Sequence, residues 1–274
     1  LIKYVGPQVW ASRPGRAKSL AGAVDHLLAL YAFDAPWFER EGLPTTVVGS
    51  SALHIDMTDA DPAAFRQLHG IAEHVPVLLV LPGSRPSEIA LMTPVYEHAV
   101  IQLKARYPDL VIAVVVAGTV AGDVTTRVAA WPVTVHLVEE SEKYTAMKAA
   151  TVALATSGTV STELALAGLP MVIGYRFAPL SYAIMKPFFT GKYATLFNHA
   201  ADEEIARELI QTEATPERFV AEVGRLLDDP DGRADQARRQ TAALDFMGRG
   251  GRNPSAIAAE AVLNTVALPS GPER

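Results

Sequence analysis

The sequence predicts an α/β fold, a parallel sheet covered on both faces by helices. Three observations point there. Short runs of Val, Ile and Leu, such as residues 75–81 and 110–117, are apolar without alternation, as strands buried on both faces are. Helix-length stretches separate them, so the chain alternates strand and helix. Hydrophobic residues make up 49% of the 274 and charged residues 20%, enough apolar material for a core and too much for a chain disordered throughout.

The elements follow in order. Residues 1–5 read as a strand, and a Pro/Gly-punctuated loop over 7–15 carries Trp10 and Arg13. An apolar run covers 23–31. A short helix is expected over 33–41, with Asp34 as cap and Pro36 in its first turn. The β-branched run 45–48 is a strand ending at Gly49. Residues 50–74 are polar and irregular, the best linker, with a helix over 62–69. From Val75 the pattern is regular. Strands are expected over 75–81, 110–117, 133–138, 151–155 and 170–175, and helices over 87–106, 141–150 and 159–167, the last stopped by Gly168. The tail reads as helical over 203–211, 216–227, 234–247 and 254–266, with Thr215 as a cap and Pro216 at the first helical position.

Composition excludes several classes of function. A net charge of −6 does not fit a nucleic-acid binder, which presents a basic surface. With no cysteine there is no disulfide scaffold, thiolate nucleophile or Cys-ligated metal. No apolar run approaches the roughly 18–20 residues that span a bilayer. The chain opens without Met in what reads as mid-strand, so it is read as a piece of something longer.

Two strand–helix junctions carry chemistry. In Leu81-Pro-Gly-Ser-Arg-Pro-Ser-Glu88, Gly83 permits close backbone approach, Ser84 adds a hydroxyl and Arg85 a cationic fork, a combination that suits a diphosphate. An ordinary turn with a solvated Arg has the same composition. In Ala155-Thr-Ser-Gly-Thr-Val-Ser-Thr-Glu163, hydroxyls surround Gly158 just before a helix, and Glu163 lies one turn in, where a carboxylate can take a ribose diol. A hydroxyl-rich helix cap is the competing reading. Neither junction is a G-x-G-x-x-G or a Walker loop, which disfavours NAD or ATP binding of the usual kinds.

These junctions belong to a longer set. Tyr4-Val-Gly-Pro-Gln-Val-Trp-Ala-Ser-Arg-Pro-Gly-Arg16, Val24-Asp-His-Leu-Leu-Ala-Leu30, Phe38-Glu-Arg-Glu-Gly-Leu-Pro44, Leu79-Val-Leu-Pro-Gly-Ser-Arg85 with Ser87-Glu-Ile89, Thr156-Ser-Gly-Thr159 with Glu163-Leu-Ala-Leu-Ala-Gly-Leu-Pro170, and Tyr193-Ala-Thr-Leu-Phe-Asn198 occur in this order. As a set they resemble the lipid-A-disaccharide synthases, glycosyltransferases of the B type with two Rossmann-like domains. Two positions depart from the family pattern: Ser12 replaces a second Trp, and Ser50-Ser51 follow Gly49 where a His-containing pair is usual.

The resemblance implies an architecture and a reaction. Residues 1–50 would be the end of an acceptor domain, 51–200 a donor-binding Rossmann-like domain, and 201–274 helices packing on and crossing between them. The reaction would move 2,3-diacylglucosamine from UDP-2,3-diacylglucosamine to 2,3-diacylglucosamine 1-phosphate, making a β-1,6 bond and releasing UDP. No cofactor and no metal are expected. Gly83, Ser84, Arg85, Ser157, Gly158 and Thr159 would meet the diphosphate, Glu163 the ribose, and Asn198 the nucleotide–sugar end. The acidic base is expected in family sequence preceding Tyr4, which leaves His26 as a weak candidate here, with a structural hydrogen bond as its plainer role. Location is expected in the bacterial cytoplasm, peripheral on the inner membrane, with no nucleic-acid partner and a homodimer possible.

Over 180–196, Tyr182, Ile184, Met185, Lys186, Phe188, Phe189, Lys192 and Tyr193 mix aromatics with lysines, as membrane-interface segments do. A packed domain-crossing helix has the same composition. Two alternatives stay open: another UDP-sugar enzyme of the same architecture, such as a peptidoglycan glycosyltransferase or an epimerase, and a non-catalytic UDP-binding remnant.

Overall fold

Parallel pairing joins all the named strands, and they form two sheets. The computed structural model describes residues 1–179, 182–183, 186–189 and 191–267. Ile184 and Met185 of the aromatic–lysine segment lie outside the described residues. The first sheet has the order β1 (Ile2–Tyr4), β2 (His26–Ala29), β3 (Thr45–Val47), with helices α1 (Arg16–Ala21) and α2 (Ala35–Glu39) between the strands. Its small core centres on Val9, Leu27, Phe38 and Leu43. Residues 48–76, with α3 (Pro62–Leu68), lead into the second sheet; the Asp61 carboxylate caps α3 by accepting from the Ala63 amide at 2.8 Å.

The second sheet contains β4 (Val77–Leu81), β5 (Val111–Val116), β6 (Val135–Glu139), β7 (Val152–Thr156), β8 (Met171–Tyr175) and β9 (Arg207–Ile210), in the spatial order β6-β5-β4-β7-β8-β9. All five residues of β4 are buried because both sheet faces are covered. Val77, Leu79 and Leu81 join one core with Phe65, Met147, Leu164 and Phe197. Leu78 and Val80 join the other with Met92, Tyr96, Val124 and Phe219. The absence of alternation in the sequence is this two-sided burial. The covering helices are α4 (Pro86–Arg106), α5 (Ala121–Ala129), α6 (Lys143–Ala149), α7 (Val160–Leu166), α8 (Leu196–Ala201), α9 (Pro216–Asp228), α10 (Pro230–Phe246) and α11 (Pro254–Ala267). The last of these returns to pack against β2 of the first sheet.

Three expectations need correction. Residues 203–211 do not form a helix; β9 pairs with β8 through the register Val172↔Arg207 to Tyr175↔Ile210. Glu, Ala, Arg and Leu favour a helix locally, but the open edge of β8 offers a full backbone ladder, and tertiary pairing overrides propensity. The sheet therefore runs ten residues past the expected boundary at 200. Helices α1 and α5 add to the expected elements; in α5 only Val124 and Val128, four residues apart, are buried to signal the period. Asp34 precedes α2 but does not cap it, because its carboxylate accepts from Trp10 Nε1 at 3.0 Å. No helix among the described residues is long and apolar enough to cross a membrane.

Candidate functional site

The chain leaves β4 toward β5 on one side and returns to β7 on the other, so the loops after β4 and β7 are neighbours across a reversal in strand order. Leu81 pairs with Ala155, the last ladder position before both loops. Clefts at the carboxyl ends of parallel strands form at such points. Here the cleft holds about 260 Å³ and is lined by the two junctions singled out in the sequence: Gly83, Ser84 and Arg85 on one wall, Ser157, Gly158 and Thr159 on the other, with Glu163 at its floor. Thr156 ties the walls together, its buried hydroxyl donating to the Pro82 carbonyl at 2.8 Å.

The first wall is held by Glu88, which is 4% exposed. Its carboxylate accepts the Ser84 amide at 3.0 Å and pairs with Arg85 Nη1 at 2.6 Å. Gly83 has φ +125°, and a Cβ there would stand 2.7 Å from Glu88 Cβ. The glycine is required by conformation and by the approach of Glu88 together. Because Glu88 takes the Ser84 amide, this wall offers a ligand the Ser84 hydroxyl and the outward face of Arg85, which is 70% exposed.

The second wall offers backbone. The Ser157 amide donates to Gly174, but the Gly158 and Thr159 amides find no acceptor among the described residues. A Cβ on Gly158 would meet nothing within 4 Å, so nothing crowds the turn where a side chain would stand. Unpaired amides beside a cationic fork form a site for an anion with several oxygens.

Glu163 is already engaged. Lys143 Nζ lies 2.9 Å from its Oε2 and 2.7 Å from Glu140 Oε1. Burial opposes the charge on Lys143, but bonding to Glu140 and Glu163 outweighs it and raises its pKa above the ordinary value. Lys143, Glu140 and Glu88 also line the cleft; the sequence reading includes only Glu88, as the end of the first junction, and gives none of the three a role. Their only local signal was position: each lies in or just before the first turn of a helix that follows a strand.

Two predicted residues lie elsewhere. Asn198 is fully buried and lines no part of this cleft. Its Nδ2 donates to the Ala206 carbonyl and to Glu208, each at 2.8 Å, and its Oδ1 accepts from the Ile205 and Ala206 amides. Every hydrogen-bonding group it has is therefore spent on shaping the turn into β9. His26 sits in β2, where Nε2 is 2.9 Å from Thr46 Oγ1 on β3. That bond places it in the first sheet, away from the cleft lining.

Where the sheets meet, Trp10 stacks on His199 with ring centroids 3.7 Å apart and donates to Asp34. Burial pushes the Asp34 carboxyl up to about 6, against the lowering effect of the Trp10 bond.

Known proteins with this sequence pattern and this fold bear on the cleft. A family model described as lipid-A-disaccharide synthetase matches residues 1–262. The lipid-A-disaccharide synthase of Rhodospirillum centenum is 44% identical over 97% of this chain and 67% of its own length. That of Paramagnetospirillum magneticum is 41% identical over 97% of this chain and 68% of its own. The chain thus spans about two thirds of these curated relatives. Among solved structures, a UDP co-structure of S. aureus MnaA superposes with a TM-score of 0.60 at 13% identity, over 93% of this chain and 64% of the other, a likeness of fold. The chain belongs to the lipid-A-disaccharide synthetase family, glycosyltransferases of lipid A biosynthesis.

Proposed function

We propose that this chain carries the donor-nucleotide site of a lipid-A-disaccharide synthase. The reaction it serves moves 2,3-diacylglucosamine from UDP-2,3-diacylglucosamine to the 6-hydroxyl of 2,3-diacylglucosamine 1-phosphate, with UDP leaving. The observation that carries this reading is the adjacency of loops 82–85 and 157–159 at the strand-order reversal, with Arg85 and the Gly158 and Thr159 residues, whose amides find no acceptor among the described residues, lining one cleft.

Such a displacement builds negative charge on the departing diphosphate as the sugar–oxygen bond breaks. Fixed donors aimed at that charge are worth more in the transition state than in the ground state. Arg85, the Ser84 hydroxyl and the two amides supply them, and Glu88 holds Arg85 in place. Glu163 takes the ribose hydroxyls while Lys143 fixes its rotamer. A lipid substrate also asks for contact with a membrane. Lys186, Phe188 and Lys192 are exposed in one segment, which supports peripheral binding at the cytoplasmic face of the inner membrane.

The test is a calorimetric titration with UDP. A charged hydrogen bond contributes about 1.5–3 kcal/mol, so Arg85→Ala is expected to weaken UDP roughly ten- to a hundred-fold. An unchanged Kd removes Arg85 from the site.

A further inference from the structure

A second cleft, of about 430 Å³, adjoins the first, and Ser157 lines both. Its walls are aromatic: Trp10, Tyr175, Phe177, Tyr182, Phe189 and Tyr193. Phe177 is the hub, with ring centroids 4.7 Å from Tyr175, 5.3 Å from Phe189 and 6.2 Å from Tyr182. One flank is closed by backbone. Gly191 donates to the Ala11 carbonyl at 3.2 Å, and Ser12 bridges Phe189. The cleft therefore lies where the loop after β1 meets the segment after β8.

The one carboxylate on its lining, among the described residues, is already committed. Glu208 accepts from the Ala194 amide at 2.6 Å, the Thr195 amide at 2.9 Å, the Thr195 hydroxyl at 2.7 Å and Asn198 at 2.8 Å. Lys192 pairs with Asp202 at 3.3 Å and lies over the Tyr193 ring. A cleft with aromatic walls, a spent carboxylate and a lysine that stands mostly in solvent has little to offer a phosphate or a carboxylate. It suits an apolar chain.

We infer that this cleft receives an acyl chain of the donor, an inference that rests on reading the first cleft as the nucleotide site. The direction follows from continuity. A sugar on the diphosphate at the 157–159 turn stands at the mouth of the second cleft, and its acyl substituent needs only to pass Ser157 to enter. Tyr175 marks the junction: it lines the aromatic cleft, where burial first and the Glu88 charge after it raise its hydroxyl's pKa, with Arg85 opposing. The neighbouring Phe188, 43% exposed, extends the apolar surface outward, where the chain would leave a membrane.

Binding is measured on the 274-residue chain with UDP, with UDP-glucosamine, and with acylated UDP-glucosamines whose chains are short enough to remain monomeric. Each added methylene is expected to tighten binding up to about fourfold until the cleft is filled. Phe189→Ala and, separately, Phe177→Ala are expected to flatten that chain-length dependence, with the UDP Kd measured on each variant as the control for folding. UDP affinity without any chain-length dependence overturns the inference and leaves the nucleotide site standing; the aromatics then stack on the sugar ring. A dependence that survives both substitutions puts the chain elsewhere and also overturns it. No UDP binding at all overturns the nucleotide reading, and the inference with it.

Discussion

The Lys143 ammonium and the Glu163 carboxylate stand 2.9 Å apart in the lining of the cleft proposed to hold the nucleotide, with 13% and 15% of their side chains exposed. The pair links α6 to α7, so the residue proposed to take the ribose is held by a helix from the preceding strand–helix unit. Lys143→Met leaves two carboxylates, Glu140 and Glu163, facing each other without their cation. A loss of about 2–4 kcal/mol is expected, below the fully buried figure because some exposure remains. Glu163→Gln keeps the shape and is expected to weaken UDP with little loss of stability. Urea unfolding of both variants checks this; a Lys143→Met protein as stable as the parent shows that the pair holds nothing.

Gly83 and Gly158 face each other across the same cleft and predict opposite outcomes. Gly83→Ala forces a side chain into φ +125° and against Glu88, which breaks the Ser84 contact. The expected cost is about 1–3 kcal/mol, with weaker UDP binding. Gly158→Ala enters open space, and stability is expected to stay within about 0.5 kcal/mol. Thermal unfolding of the two variants side by side would refute the account if they moved together.

Asp34 predicts a pH dependence. Burial raises its pKa from 3.8 to about 6, so the folded protein holds a proton that the unfolded chain has released. Between these values the native state binds more protons, and stability falls as pH rises. At about 1.4 kcal/mol per unit, the loss between pH 4 and 6 is at most roughly 3 kcal/mol. Asp34→Asn keeps an acceptor for Trp10 and removes the titration. Subtracting its urea midpoints from those of the parent should leave a decline confined to that window; a flat difference would mean Asp34 titrates normally.

Asn198 separates architecture from ligand contact. Asn198→Ala strands the Ile205 amide and removes one of the four donors to Glu208. A destabilisation of about 2–4 kcal/mol is expected from the unmet buried groups. The UDP Kd of the folded fraction should not change. A large Kd change at full stability would return Asn198 to the nucleotide–sugar end.

Much of this was written locally. The unbroken apolar runs of β4 and β7 announce strands buried on both faces, and Thr215–Pro216 announces the start of α9, where the Thr215 hydroxyl accepts the Arg218 amide. Gly83-Ser84-Arg85 and Ser157-Gly158-Thr159 could each be read as anion-binding turns because conformation and donor type are carried by the residues themselves. Their meeting in one cleft could not be read, since it depends on β4 pairing with β7 across more than seventy residues. The same holds for β9, whose residues favour a helix until the edge of β8 offers them a ladder. Lys143 looks like any solvated lysine until α6 is packed beside α7, and Asp34 like any helix cap until Trp10 claims its carboxylate. Residue type and spacing determine which local conformations are cheap. Strand order, charge pairing and burial are decided only when distant segments exclude water from one another, because only then do the energies that select among local options exist.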